Sequence, residues 1–312
     1  MEANPKDARS WSNKANSLCR MGKFDEAFKC YNKALEIKPD YVSALRNKSL
    51  MLFKAERLDK SLDCLEKVCK LDPYDIRVWS LKAACLIKLE RYKEALESFD
   101  KALQINPACK DTLLSKGKCL ADMEQFEDEV ACYDKIIAMK HSSSLVYARK
   151  ALALCRLKKY DQGMECVDHA LTVKPQAAIL WWTKGYIHDK QKEYEKAIEA
   201  YTKTVELDKN YAYGYARQAW IYATCPEIEF RNGEKAVELA EKAVQITRRN
   251  NLPAMDALAC ALAEFGNFDK AIEIIKEAQS LAKTEEDKNE LKEKQELFLQ
   301  KKPYRDTGGA NK

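Results

Sequence analysis

Glycine and proline are scarce in this chain, 9 and 8 residues among 312. That scarcity excludes collagen-like and elastin-like sequences and argues against an all-β architecture, whose turns consume both residues. Histidine numbers only 3, and no HExxH pair occurs. Neither GxGxxG nor GxxxxGK[ST] is present to cradle a phosphate. The 12 cysteines form no CxxC, and the nearest two, Cys64 and Cys69, lack the spacing of a zinc hook. They read as reduced thiols on apolar helix stripes. No apolar run approaches the roughly 18 residues of a membrane span, and Met1–Ser10 holds no apolar signal core. The expectation is a soluble cytoplasmic protein without metal, cofactor or catalytic residues. What is abundant is charge, 33% against a usual value of about 25%, beside a hydrophobic share of 46% that suffices for a core. This is the composition of solvated helices. The net charge of +5 is too small over this length to declare a nucleic-acid partner.

An internal repeat organises the chain. Pro39, Pro73 and Pro107 stand 34 residues apart and Pro175 a further 68, with His141 in the skipped place. In the same period Trp11, Leu45, Trp79, Leu113, Tyr147, Trp181 and Tyr215 form a bulky column, and Ala15, Ser49, Ala83, Gly117, Ala151, Gly185 and Ala219 a small one. Leu18, Leu52, Leu86, Leu120, Leu154, His188 and Tyr222 form a third. These columns sit at i, i+4 and i+7, one stripe of an amphipathic helix whose small centre lets a neighbour come close. A second helix follows a short turn such as Met21-Gly22-Lys23. It starts with Phe24, Leu58, Tyr92, Phe126, Tyr160 or Tyr194 and ends before the proline, which cannot continue it.

This bulky, small, aromatic, small, small, proline series resembles the tetratricopeptide repeat family, in its microbial multi-repeat form. Six units run without a gap, 8–41, 42–75, 76–109, 110–143, 144–177 and 178–211. A seventh, 212–251, carries an insertion at Cys225–Asn232, and an eighth spans 252–285. The segment Ala223-Thr-Cys-Pro with Arg231-Asn-Gly-Glu-Lys-Ala looks like the closing repeats of bacterial and archaeal arrays. The fold expected is all-α, a right-handed α-solenoid (superhelix) of tandem helical hairpins. Residues 1–7 precede it. Thr284 caps a last helix that shields the final repeat over 286–300, and 301–312 reads as a disordered tail.

The repeat absorbs almost every residue that could carry chemistry. His141 falls in a loop, His169 on a second helix and His188 in the core stripe. A ladder of Lys14, Lys48, Lys82, Lys116, Lys150 and Lys184 recurs beside the small column, where the family more often has leucine. It reads either as a polyanion track or as stems lying along the repeat with solvated ammonium groups.

The resemblance implies that the first helix of each unit lines a concave groove. Its exposed face carries Asn16, Arg46, Lys54, Arg77, Lys88, Lys118 and Arg156, with Asn47 beside it, and farther on Trp182, Tyr186, Tyr213 and Trp220. The groove so read is basic toward the start and aromatic in units six and seven. Aromatic anchors would carry affinity, and the cations would steer an acidic segment; alternatively the rings pack on neighbouring repeats. The chaperone-tail clamp of some family members is matched only by Asn16, Asn47 and Arg77, with Ser12 and Leu81 in place of its first Lys and last Arg. The function implied is a non-catalytic scaffold, a monomer holding a peptide or helix of another protein. The alternatives are a nucleic-acid-binding solenoid through the basic half and a self-associating array.

Overall fold

The structure, a computed structural model, describes residues 7–140 and 143–306. The tail residues 307–312 and the loop residues His141 and Ser142 lie outside the described residues. The described residues are helical hairpins without a strand. Two compact units divide the chain at 141/142, and each is a stretch of all-α solenoid.

The first unit contains α1 (Ala8–Arg20), α2 (Phe24–Ile37), α3 (Val42–Lys54), α4 (Leu58–Leu71), α5 (Ile76–Lys88), α6 (Tyr92–Ile105), α7 (Lys110–Asp122) and α8 (Phe126–Ala138). The second begins with α9 (Ser144–Arg156), α10 (Tyr160–Val173), α11 (Ala178–Lys190), α12 (Tyr194–Leu207) and α13 (Ala212–Thr224). A short 3-10 turn, Ile228–Phe230, lies in the insertion. There follow α14 (Gly233–Thr247), α15 (Leu252–Glu264), α16 (Phe268–Leu281) and α17 (Glu285–Leu299).

Outside the hairpin that carries the insertion, each hairpin turn is closed by one left-handed residue. Gly22 supplies it at φ +75°, and Glu56, Glu90, Glu124, Lys158 and Lys192 occupy the same place in later units at φ between 56° and 63°. The next backbone N–H returns to a carbonyl five residues back, as Lys23 does to Leu18 and Arg57 to Leu52. This is the Schellman closure, in which a non-glycine residue costs about 1 kcal/mol. Tertiary packing overrides that preference five times.

Within a hairpin the small column of the first helix receives a large side chain from the second, 16 residues later. Tyr31, Leu65, Phe99, Tyr133, Val167 and Tyr201 are all buried. They lie 16 residues after Ala15, Ser49, Ala83, Gly117, Ala151 and Gly185. A Cβ on Gly185 would meet the Tyr201 ring at 2.7 Å. Within each compact unit, second helices also pack on the first helix that follows, as α4 does on α5 and α12 on α13. First helices touch one another where they are rich in alanine, as in α13 against α15. Burial of these faces is the main stabilising term.

The last helix, α17, is capped by a reciprocal pair: Asp287 N donates to Thr284 Oγ1 at 3.0 Å and Thr284 N to Asp287 Oδ2 at 3.4 Å. It buries Leu291, Lys294 and Phe298. The expected disorder from residue 301 onward does not hold over 301–306. Trp220 Nε1 donates to Asp306 Oδ2 at 2.8 Å, and Asp306 N donates to the Thr224 carbonyl at 2.9 Å. Polar composition pointed to solvent, but Tyr304, Arg305 and Asp306 each find a specific partner.

Candidate functional site

In the second unit, α11, α13 and the residue that precedes α13 place four aromatic rings together. Trp182 stacks on Tyr186 with centroids 5.5 Å apart and an interplanar angle of 19°. Tyr213 meets Trp182 edge-on at 6.4 Å, and Tyr211 lies at the same distance. Tyr213 is 47% exposed, and its hydroxyl accepts from Asn251 Nδ2 at 3.2 Å. Trp182 is half-buried and packs on the cluster of Tyr194, Ala197 and Tyr201. Its indole N–H is buried and has no protein partner among the described residues, at a cost of about 1–3 kcal/mol. Beneath the rings, Asp189 pairs with Arg217 and accepts from the Tyr201 hydroxyl at 3.3 Å. Burial alone would lower the Arg217 pKa, but the Asp189 carboxylate outweighs it and holds the guanidinium charged. Tyr211 was not legible as a member of this site, because it precedes the helix and falls outside the face periodicity.

Trp220, the fourth expected aromatic, is separate from that cluster. Its ring lies 5.9 Å from Tyr304 and 4.7 Å from Lys294 Nζ, and its N–H is taken by Asp306. The chain itself covers this residue. Lys294 is buried to 1% side-chain exposure and pairs with Asp256 at 2.6 Å and Glu290 at 2.9 Å. Burial works against its charge, and the facing Asp256 carboxylate outweighs it, so the ammonium titrates above its ordinary range.

In the first unit most of the expected cations are already paired. Arg46 pairs with Asp75 at 2.5 Å, Arg77 pairs with the same carboxylate at 3.1 Å, and Lys88 reaches Glu56 at 3.2 Å. Asn47 Nδ2 donates to Asn16 Oδ1 at 3.1 Å, which also accepts from Tyr31. Lys54 and Lys118 are exposed, and Arg156, in the second unit, has a partner of its own. The sequence reading counted first-helix positions alone. It therefore missed Asp75, which caps α5, and Glu56 in the turn.

Burial would raise the Asp75 pKa, but hydrogen bonds from Arg77 and Arg46 hold its carboxyl below the usual value. A depressed carboxylate contributes stability above its unfolded pKa, about 3.9, and loses it as pH falls through the folded value. Asp75→Asn, which preserves the cap, is expected to cost about 1 kcal/mol at pH 7. The difference from the parent should shrink as pH falls below about 3.9 and vanish once the folded carboxyl is protonated, as followed by urea denaturation at each pH. A difference that persists in acid would mean the loss is steric.

Several members of the lysine ladder tie successive repeats together. Lys48 donates to Asn32 and Lys184 to Asp168, both at 2.7 Å, and Lys116 pairs with Asp100 at 2.5 Å. Each joins a first helix to the second helix of the preceding unit. Lys14, Lys82 and Lys184 also lie 5.5–5.9 Å from the rings of Trp11, Trp79 and Trp181, which accounts for the Trp-x-x-Lys spacing. His188 Nδ1 lies 2.5 Å from Glu193 Oε2. Burial pushes the thiols of Cys69 and Cys119 up to about 11 and that of Cys155 to about 12. No three metal-ligating groups converge among the described residues, and no described helix is long and apolar enough to cross a membrane.

Family models of the tetratricopeptide repeat match residues 8–41, 76–109, 178–211 and 252–285. A tetratricopeptide repeat protein from Parabacteroides merdae superposes with TM-score 0.61 at 15% identity, over 94% of this chain and 98% of that one. The chain is a tetratricopeptide repeat protein. The repeats also superpose on the C-terminal part of a TPR repeat-containing protein from Cytophaga hutchinsonii, with TM-score 0.60 and 15% identity over 79% of this chain and 99% of that one. The Cut9–Hcn1 hetero-tetramer of the APC/C gives TM-score 0.57 and 15% identity, over 94% of this TPR chain and 56% of that one. At such identity the likeness shows the fold alone. No curated protein matches the sequence.

Proposed function

We propose that this TPR protein is a non-catalytic scaffold, a cytoplasmic monomer that holds a peptide or helix of a partner protein on the first-helix face of α11 and α13. The observation that carries the reading is the buried, unpaired indole N–H of Trp182 within a cluster that presents exposed Tyr213. Partner apolar groups would cover the rings, and a shift of the Trp182 ring that brings its N–H to a partner carbonyl or carboxylate would recover the desolvation cost. Pairing of Arg46, Arg77 and Lys88 within the chain weakens the nucleic-acid alternative.

Tyr213→Ala is exposed enough to leave folding intact, and Trp182→Phe removes the N–H but keeps a ring. Relative to the parent at equal helicity, each is expected to reduce partner affinity about thirtyfold, the equivalent of about 2 kcal/mol at an interface anchor. Affinity capture from lysate identifies the partner and calorimetry measures it. Unchanged affinity in both variants would remove this face from the site.

A further inference from the structure

The last residues described, Pro303 to Asp306, run over α13, α15 and α17 as an extended segment whose side chains meet three different recognition groups. Tyr304 lies on the Trp220 ring and 5.0 Å from Lys294 Nζ. Arg305 pairs with Glu264 at 2.7 Å and donates to the Ala223 carbonyl at 3.3 Å. Asp306 accepts from the Trp220 indole and donates its amide to the Thr224 carbonyl. Ala223 and Thr224 end α13, and the residues four places on lie outside that helix, so these carbonyls have no intrahelical donor. The segment satisfies backbone that the insertion leaves open.

We propose that the face formed by Trp220, Glu264, Lys294 and the end of α13 is a second peptide-binding site, held in cis by Tyr304-Arg305-Asp306. The external ligand it takes is a peptide presenting an aromatic residue, an arginine and a carboxylate in that order. Each of its groups complements one of those: a cation flanked by an indole for the ring, an acid for the guanidinium, an N–H for the carboxylate. The tether supplies the cis segment at an effective concentration of order mM, so an external peptide must compete with it. The site shares no residue with the Trp182–Tyr213 cluster, so either reading can fail alone.

The test uses the full chain. The chain has 5 tryptophans, so its indole N–H signals are few, and Trp220→Phe assigns the one that matters. Tyr304→Ala with Asp306→Ala should shift the Trp220 signal. Adding the peptide Lys-Pro-Tyr-Arg-Asp should return it toward its original position, saturably, while the same additions leave the signal of the intact chain in place because its own segment already fills the face. A scrambled peptide should leave it unmoved. Where the double variant loses helicity, Arg305→Glu, which sets like charge against Glu264, is read in the same way. No return of the signal at about 10 mM peptide, ten times the tether's effective concentration, would overturn the proposal. So would an equal response to the scrambled peptide.

Discussion

Lys294→Ala is expected to destabilise the second unit by about 3–5 kcal/mol, because it strands the Asp256 carboxylate in an apolar setting. The ammonium is buried at the centre of a cage made by Asp256, Glu290 and the rings of Trp220 and Tyr304. Removing one member of a buried pair leaves the other neither hydrated nor compensated. Replacing both behaves differently: Lys294→Met with Asp256→Leu fills similar volume and removes both desolvation costs, so it should fall within about 2 kcal/mol of the parent. Urea unfolding followed by helicity, with the slope compared among variants, separates the two cases. A double variant as unstable as the single would show that the ion pair itself stabilises the fold, since the double variant keeps the volume and strands no charge on Asp256.

Gly185→Leu is expected to cost about 3 kcal/mol, at the upper end of overpacking effects. A Cβ there meets Tyr201 Cδ1 at 2.7 Å and the Ala197 carbonyl at 3.2 Å. Tyr201 cannot yield, being fully buried and tied through its hydroxyl to Asp189. The preceding unit offers the compensating change, since Ala151 there faces Val167. Gly185→Ala combined with Tyr201→Val should therefore recover most of the stability that Gly185→Ala alone loses, measured by thermal unfolding. An absence of recovery would mean that the two positions do not share one packing space.

Pattern reading succeeded where a residue's role is set by its own repeat. The 34-residue period, the small column and the Thr284 cap all arise from contacts made within a helix or across one hairpin. The periodicity of side chains on a helix exposes such contacts in one dimension. It failed where the deciding partner lies outside the period. Trp182, Tyr186 and Tyr213 do come together, but Tyr211 joins them from a loop. Trp220 was legible as a residue of the first-helix face, yet its occupant, Asp306, lies 86 residues away in a segment whose composition suggests solvent. The basic face failed for the same reason: Asp75 and Glu56 neutralise Arg46, Arg77 and Lys88 from positions the face periodicity skips.

By itself the amino-acid sequence determined that this protein is an all-α array of tetratricopeptide hairpins. Where each hairpin turns and which residues form its core were equally legible, because short-range sterics and hydrophobic periodicity repeat faithfully from unit to unit. Only the tertiary structure decided which face residues remain available. Ion pairs, ring clusters and the return of the C-terminal segment join residues far apart in the chain, and desolvation makes a partner at 3 Å count for more than any intrinsic preference.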